Sequence, residues 1–184
     1  MTLFLIFMAA LVPVIAIVIH TLLTGSPPTP SSPKVQAKLM AMLPDALDGS
    51  VIYELGSGWG GLAVALSKRY PRCRVIGLER SHLPWLISRM RGALRRRHGG
   101  DLTFLRQDIF TTPLHEAGLV CCYLLSPTME KLRPKFQHEL PHGSRVACLN
   151  FAVPHWKPVQ TQQATDLYAT KIYLYRVPDS IPYR

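Results

Sequence analysis

The chain has 184 residues and a formal net charge of +10. That length suffices for one domain with a sizeable core and leaves no room for a separate catalytic domain. The charge points away from basic partners and toward nucleic acid or anionic lipid. In chain order, residues 3–23 come first, an almost wholly apolar run without Asp, Glu, Lys or Arg. At about 1.5 Å per residue, such a run is long enough to cross a hydrocarbon core of roughly 30 Å. Pro13 would kink the span without forbidding it. A signal peptide needs a basic start, and Met1 and Thr2 offer none. The expectation is a single-pass transmembrane anchor over residues 1–24. The first cations after it are Lys34 and Lys38, which puts the rest of the chain on the cytoplasmic side, or the mitochondrial matrix side.

Residues 24–33 are rich in Pro, Ser and Thr and read as a linker. Val35, Leu39, Met42 and Leu43 carry a helical spacing over 34–43, so residues 25–44 form a linker and lead-in helix. From residue 45 to 184 one domain is expected. Strands are expected at 51–55, 74–78, 102–105, 118–125, 144–151 and 168–176, and helices at 60–69, 83–97 and 129–139. Strands alternating with helices predict an α/β fold on a parallel sheet. The four cysteines are Cys73, Cys121, Cys122 and Cys148. None forms a C-x-x-C pair, which implies buried free thiols in a reducing compartment.

Residues 51–61 read VIYELGSGWGG. A β-prone run, an acid, closely spaced glycines and an apolar helical pattern describe a strand, a tight turn and a helix start facing a ligand. Glycines let the backbone turn sharply and approach a ligand closely. The free N–H groups of the helix start favour polar or anionic ligand atoms. Gly56, Gly58 and Gly61 satisfy G-x-G-x-x-G, and Glu79 lies where an acid meets a ribose diol, so a nicotinamide-dependent reductase has to be weighed. Two further acids argue otherwise. Glu54 precedes the glycines at a strand end, where it can meet a cationic ligand group, and Asp108 follows the third strand. Acids after three successive strands, with a glycine turn at the first, resemble a class I S-adenosylmethionine-dependent methyltransferase with its Rossmann-like sheet and flanking helices. The cofactor's zwitterionic end then suits Glu54, Gly56, Ser57, Gly58 and Gly60, its ribose suits Glu79, and its adenine amine suits Asp108. Trp59 reads as a wall of the cleft.

The second half narrows the resemblance. Ser126-Pro127 and Met129 follow the fourth strand, and residues 145–158 read RVACLNFAVPHWKP across the fifth strand and its exit. Together with Pro28 and Pro30 before Lys34 and Val35, these are similar to the FAM173 family of membrane-anchored protein-lysine methyltransferases. Trp59 stands where that family often has an acid, and Glu54 where it usually has Asp. The resemblance implies S-adenosyl-L-methionine as cofactor and a lysine of a membrane protein as substrate. It also implies that Tyr123, Ser126 and Pro127 build an amine channel closed by Asn150, His155 and Trp156. His155 is equally readable as a hydrogen bonder at a turn, and Trp156 as a core residue or a stacking partner for an ammonium. A methyltransferase acting on a lipid or small molecule, and a non-catalytic cofactor-binding assembly factor, are the alternatives.

Two further patterns carry less. His138-Glu-Leu-Pro-His142 matches H-E-x-x-H, but Pro141 breaks the helix that a zinc site needs, and no metal site is expected. Arg89, Arg91, Arg95, Arg96, Arg97 and His98 form a basic cluster on a helix. Without interleaved aromatics, anionic lipid suits it better than nucleic acid.

Overall fold

A computed structural model describes residues 31–47 and 49–178. The apolar run at 3–23 and its topology lie outside them. Among the described residues, no helix is long and apolar enough to cross a membrane.

The elements in chain order are α1 (Pro33–Met42), β1 (Val51–Leu55), α2 (Gly61–Arg69), β2 (Arg74–Leu78), α3 (His82–Arg97), β3 (Leu102–Leu105), β4 (Ala117–Cys122), α4 (Ser126–Glu139), β5 (Arg145–Leu149), β6 (Gln160–Gln163) and β7 (Lys171–Arg176). One seven-stranded sheet carries them in the order β3-β2-β1-β4-β5-β7-β6. β1 to β5 pair in parallel, whereas β7 is antiparallel to both β5 and β6. The parallel sheet expected from the alternation thus holds for β1 to β5, and β6 and β7 make the sheet as a whole mixed. The last two strands form a hairpin-like return, and no helix separates them to force a parallel crossover.

Strand residues alternate between two cores with period two. Ile52, Val75, Leu119, Cys121 and Ala147 meet α1 and α2 on one face. Tyr53, Ile76, Val120, Cys122 and Cys148 meet α4 on the other. The same alternation sends Glu54 and Glu79 to the α2 side. α1 begins with Ser32 capping Val35 N–H, carries Pro33 in its first turn, and buries Val35, Leu39 and Met42. Capping and an early proline are favourable at this position. The parallel strands end along one edge of the sheet. Connections leave β1 and β4 there in opposite directions, which makes the β1/β4 edge the switch point where α/β sheets bind ligands.

Strand four stops at Cys122 rather than running to 125, because its partners β1 and β5 end at that level. Helix α4 consequently starts at Ser126, three residues earlier than the expected 129. All four cysteines are buried.

Candidate functional site

The turn after β1 is tied to β2. The Gly56 and Ser57 N–H groups both donate to the Leu78 carbonyl, at 2.9 and 2.8 Å, and Gly60 N–H donates to the Ser57 carbonyl at 2.8 Å. Gly56, Gly58 and Gly60 all adopt positive φ (73°, 49° and 80°), a region costly for side-chain-bearing residues. The glycines differ in what surrounds them. A Cβ on Gly60 would stand 2.6 Å from Phe104 Cζ, and one on Gly56 would stand 2.8 Å from Leu124 Cδ2. A Cβ on Gly58 would meet nothing within 4 Å. Gly56 and Gly60 therefore let the turn pack against the protein, and Gly58 keeps open the space a ligand would take.

Two carboxylates hold this turn. Glu54, at the end of β1, is 7 % exposed, and its Oε2 accepts Ala63 N–H at 2.7 Å in the first turn of α2. No side chain of α2's own N-cap does this, since Gly60 occupies it. Burial pushes the Glu54 carboxyl up to about 8; the Ala63 N–H pulls it back, and the Glu79 charge pushes it further. Glu79, also 7 % exposed, accepts Gly58 N–H at 2.9 Å through Oε2 and Ser81 N–H at 2.7 Å through Oε1. It thus links the turn to the start of α3. Ser57 is buried, and its Oγ has no hydrogen-bond partner among the described residues. Buried polar groups are almost always satisfied, so this hydroxyl points to a ligand contact.

Asp108 lies in the loop after β3. Its Oδ1 accepts Phe110 N–H at 2.9 Å and its backbone carbonyl accepts Thr112 Oγ1–H at 2.9 Å, which shapes that loop. Trp59 is half-buried, and its carbonyl accepts from the Arg91 guanidinium at 2.8 Å.

Across the edge, Tyr123 directly follows β4 and packs on the α2-side core. Burial pushes its hydroxyl above 10, and a hydrogen bond with Thr170 pulls it back. Thr170 itself donates from Oγ1 to Asp166 Oδ2 at 2.7 Å, and its N–H donates to Asp166 Oδ1 at 2.8 Å. Asp166 is held below the usual carboxylate range chiefly by that backbone N–H. Thr170 and Asp166 come from the β6–β7 return, and nothing in the sequence marked them. Only the pairing of β7 with β5 brings them beside β4.

Ser126 and Pro127 are the first two residues of α4, both exposed; proline there lacks only an N–H that the helix leaves unbonded anyway. Asn150 ends β5 in a tight turn at φ 66°, with its N–H donating to the Lys171 carbonyl at 2.7 Å. His155 is exposed at φ 62°. Of the two environments open to Trp156, the fold gives it the core one. It is 6 % exposed and packs among Phe136 and Tyr175 on the α4 side, with ring centroids 6.3 and 5.8 Å away. The H-E-x-x-H match also dissolves: α4 ends at Glu139, whose carboxylate accepts from Lys135 at 2.7 Å. Residues 141 and 142 lie beyond the helix.

Such a site takes a small ligand that brings a positive charge to a buried, partly protonated acid, a polar group to Ser57, and hydroxyls near Glu79. S-adenosylmethionine has those groups, and Glu54, Ser57, Gly58 and Glu79 fit it. The comparisons agree. A family model described as the ANTKMT methyltransferase domain matches residues 54–160. A protein-lysine N-methyltransferase of Saccharolobus islandicus is 27% identical over 144 residues, covering 76% of this chain and 86% of that protein. An adenine nucleotide translocase lysine N-methyltransferase of Mus musculus is 30% identical over 131 residues, covering 70% of this chain and 54% of that protein, so the chain spans about half of that relative. Among solved structures, an RNA methyltransferase from Salinibacter ruber in complex with S-adenosyl-L-homocysteine superposes with a TM-score of 0.72 at 26% identity, covering 85% of this chain and 98% of that one. A glycine turn braced by two acids at the switch point, on a class I methyltransferase sheet, has its explanation in this match: the chain belongs to the ANTKMT methyltransferase domain family and is an S-adenosylmethionine-dependent methyltransferase.

Proposed function

We propose that this enzyme methylates a lysine side chain of a membrane-associated protein. In this reading residues 3–23 anchor it, and the domain lies on the cytoplasmic or matrix side. The observation that carries the substrate class is the chemistry fixed at the strand ends. Beside the acids Glu54, Glu79 and Asp108 on the cofactor side, the end of β4 places the Tyr123 phenol next to the Thr170–Asp166 pair. Carboxylates and a phenol receive cations. The two relatives named for lysine methylation support the same class.

When bound, S-adenosylmethionine would supply an electrophilic methyl group for the amine nitrogen. The protein's part is positioning and proton management. Glu54 and Glu79 brace the turn on the cofactor side. On the amine side, the Tyr123 hydroxyl, hydrogen-bonded with Thr170, stands beside the Thr170–Asp166 pair, and these groups receive an N–H of the incoming ammonium and aim it. Tyr123 stays protonated at neutral pH because burial raises it, so it orients the amine and does not act as the base. A lysine of pKa about 10.4 arrives charged; leaving water for this edge lowers that value, and the proton departs to solvent.

The test incubates membranes lacking the enzyme with methyl-labelled S-adenosylmethionine and the full chain, beside Tyr123→Phe and Glu79→Gln. The expected result is a labelled protein band, weakened by Tyr123→Phe in kcat and by Glu79→Gln in cofactor affinity, with the label on lysine by mass. Label confined to lipid, RNA or small molecules would refute the lysine reading. Confirmed cofactor binding with no acceptor in any fraction would refute catalysis.

A further inference from the structure

Helix α3 is built inside out. Its 16 residues bury Pro84, Ser88 and Gly92. Small residues are needed there because Phe104 fills the space: a Cβ on Gly92 would stand 2.9 Å from Phe104 Cδ2. The large apolar side chains are outside. Leu83 is 44% exposed, Leu86 44%, Met90 68% and Leu94 58%. At about 100° per residue these four fall within roughly 80° of arc, on the side opposite the buried stripe. Scattered exposed leucines are ordinary, but an apolar ridge along one helix marks an interaction surface.

The flanks of the ridge are cationic. Arg89 and Arg96 lie on one side of it, Arg91 on the other, and Arg97 at its C-terminal end; α3 contains no acidic residue. These arginines bond neutral groups. Arg91 donates to the Trp59 carbonyl at 2.8 Å, Arg96 to the Leu102 carbonyl at 2.6 Å, and the Arg89 guanidinium lies 5.4 Å from the centroid of the Trp85 ring. Among the described residues, no salt bridge involves an α3 arginine. Their charge is held in place and left for something outside the protein.

We propose that the outer face of α3 lies on an anionic lipid surface, with Leu83, Leu86, Met90 and Leu94 in the acyl boundary and the arginines at the headgroups. An interfacial helix pairs an apolar face with Lys or Arg beside it, and long cationic side chains reach the headgroup layer while their stems stay apolar. Each arginine near an anionic leaflet adds to the attraction. A nucleic-acid surface would carry its cations on the ridge itself and aromatics among them; here the ridge is aliphatic. α3 starts at His82, three residues after Glu79, so contact along it would hold the cofactor edge beside the membrane. The proposal deepens the membrane-bound reading above, and its test separates the two.

The full chain is reconstituted in vesicles of phosphatidylcholine, alone or with phosphatidylserine. Met90→Cys is labelled with an environment-sensitive fluorophore, which is selective because the native cysteines are buried. Glu130→Cys on α4, across the sheet, is the control. With phosphatidylserine the label at 90 is expected to shift to the blue and to lose most of its emission to spin-labelled lipid, while the label at 130 does neither. Leu94→Glu, an exposed change, should restore much of the emission at 90, and phosphatidylcholine alone should give a weaker shift. If the chain floats with the vesicles but the label at 90 keeps its aqueous emission, the α3 surface is refuted and the anchor reading stands. If the chain does not float at all, both fall. A shift at 90 caused by RNA in the absence of lipid would likewise overturn the lipid assignment.

Discussion

Replacing Glu54 with Gln should stabilise the cofactor-free enzyme while impairing its binding. Glu54 has an ordinary value of 4.5 and is pushed up to about 8 in the fold, chiefly by burial. The unfolded chain therefore binds fewer protons at this group than the folded one between those values. Stability from the neutral acid is complete below pH 4.5 and is lost as pH rises to about 8. The gap of about 3.5 units corresponds to roughly 5 kcal/mol above pH 8, and about 2.5 units, roughly 3 kcal/mol, already apply at pH 7. Gln keeps an acceptor for Ala63 N–H and carries a buried donor much as the protonated acid does, so the exchange removes mainly the charging cost. At about 2–4 °C per kcal/mol for a domain of this size, Glu54→Gln should raise Tm by at most roughly 6–12 °C at pH 7. The gain should shrink toward zero near pH 4.5 and grow between pH 5 and 8. The assay is thermal unfolding of the cofactor-free full chain across that range, beside calorimetric titration with S-adenosylhomocysteine. Affinity should fall at least about tenfold, since an amide cannot oppose an ammonium as a carboxylate does. A variant no more stable than the parent at pH 7, or a stability difference flat from pH 5 to 8, would refute the reasoning about this buried acid.

Other predictions follow from the same geometry. Gly58→Ala should cost about 1 kcal/mol, the left-handed backbone alone, whereas Gly60→Ala adds a clash with Phe104 and should cost about 2–4 kcal/mol, read by denaturant midpoint. Glu79→Gln keeps only one carbonyl acceptor for two N–H groups, so it should lose about 1–2 kcal/mol and weaken S-adenosylhomocysteine binding at least about tenfold by calorimetry. Trp156→Phe removes packing but also an indole N–H with no partner among the described residues, so stability should change by less than about 2 kcal/mol. Its KM for the methyl acceptor should stay at the parent value; a large rise would return Trp156 to the substrate.

Much of the frame was legible because its causes are local. β1, β2 and β3 occupy the residues read from their apolar runs, since strands covered on both faces of a sheet are mostly apolar along their length. The glycine turn was legible because positive φ is a demand of the backbone itself. The acids Glu54 and Glu79 could be placed at strand ends by counting, and membership of a methyltransferase family followed from them together with the later Ser-Pro and Pro-His-Trp blocks.

What packs from elsewhere was not in the local pattern. β6, residues QTQQ, has no apolar period and exists by pairing its backbone with β7. The apolar run of strand four continues to Leu125, but pairing stops at Cys122 where its neighbours stop. His155 and Trp156 are adjacent in sequence and opposite in environment, because the left-handed turn at His155 sends the next ring into the α4-side core. Thr170 and Asp166 meet Tyr123 only through the antiparallel return of β7. In α3 the leucine period that would ordinarily mark a core face points outward, since Phe104 leaves room only for proline, serine and glycine beneath. Sequence by itself determined the backbone's turns and its strand-forming runs, which depend on near neighbours. Tertiary structure decided burial, and with it the proton on Glu54 and the cationic apolar face of α3, because both depend on which distant groups exclude water.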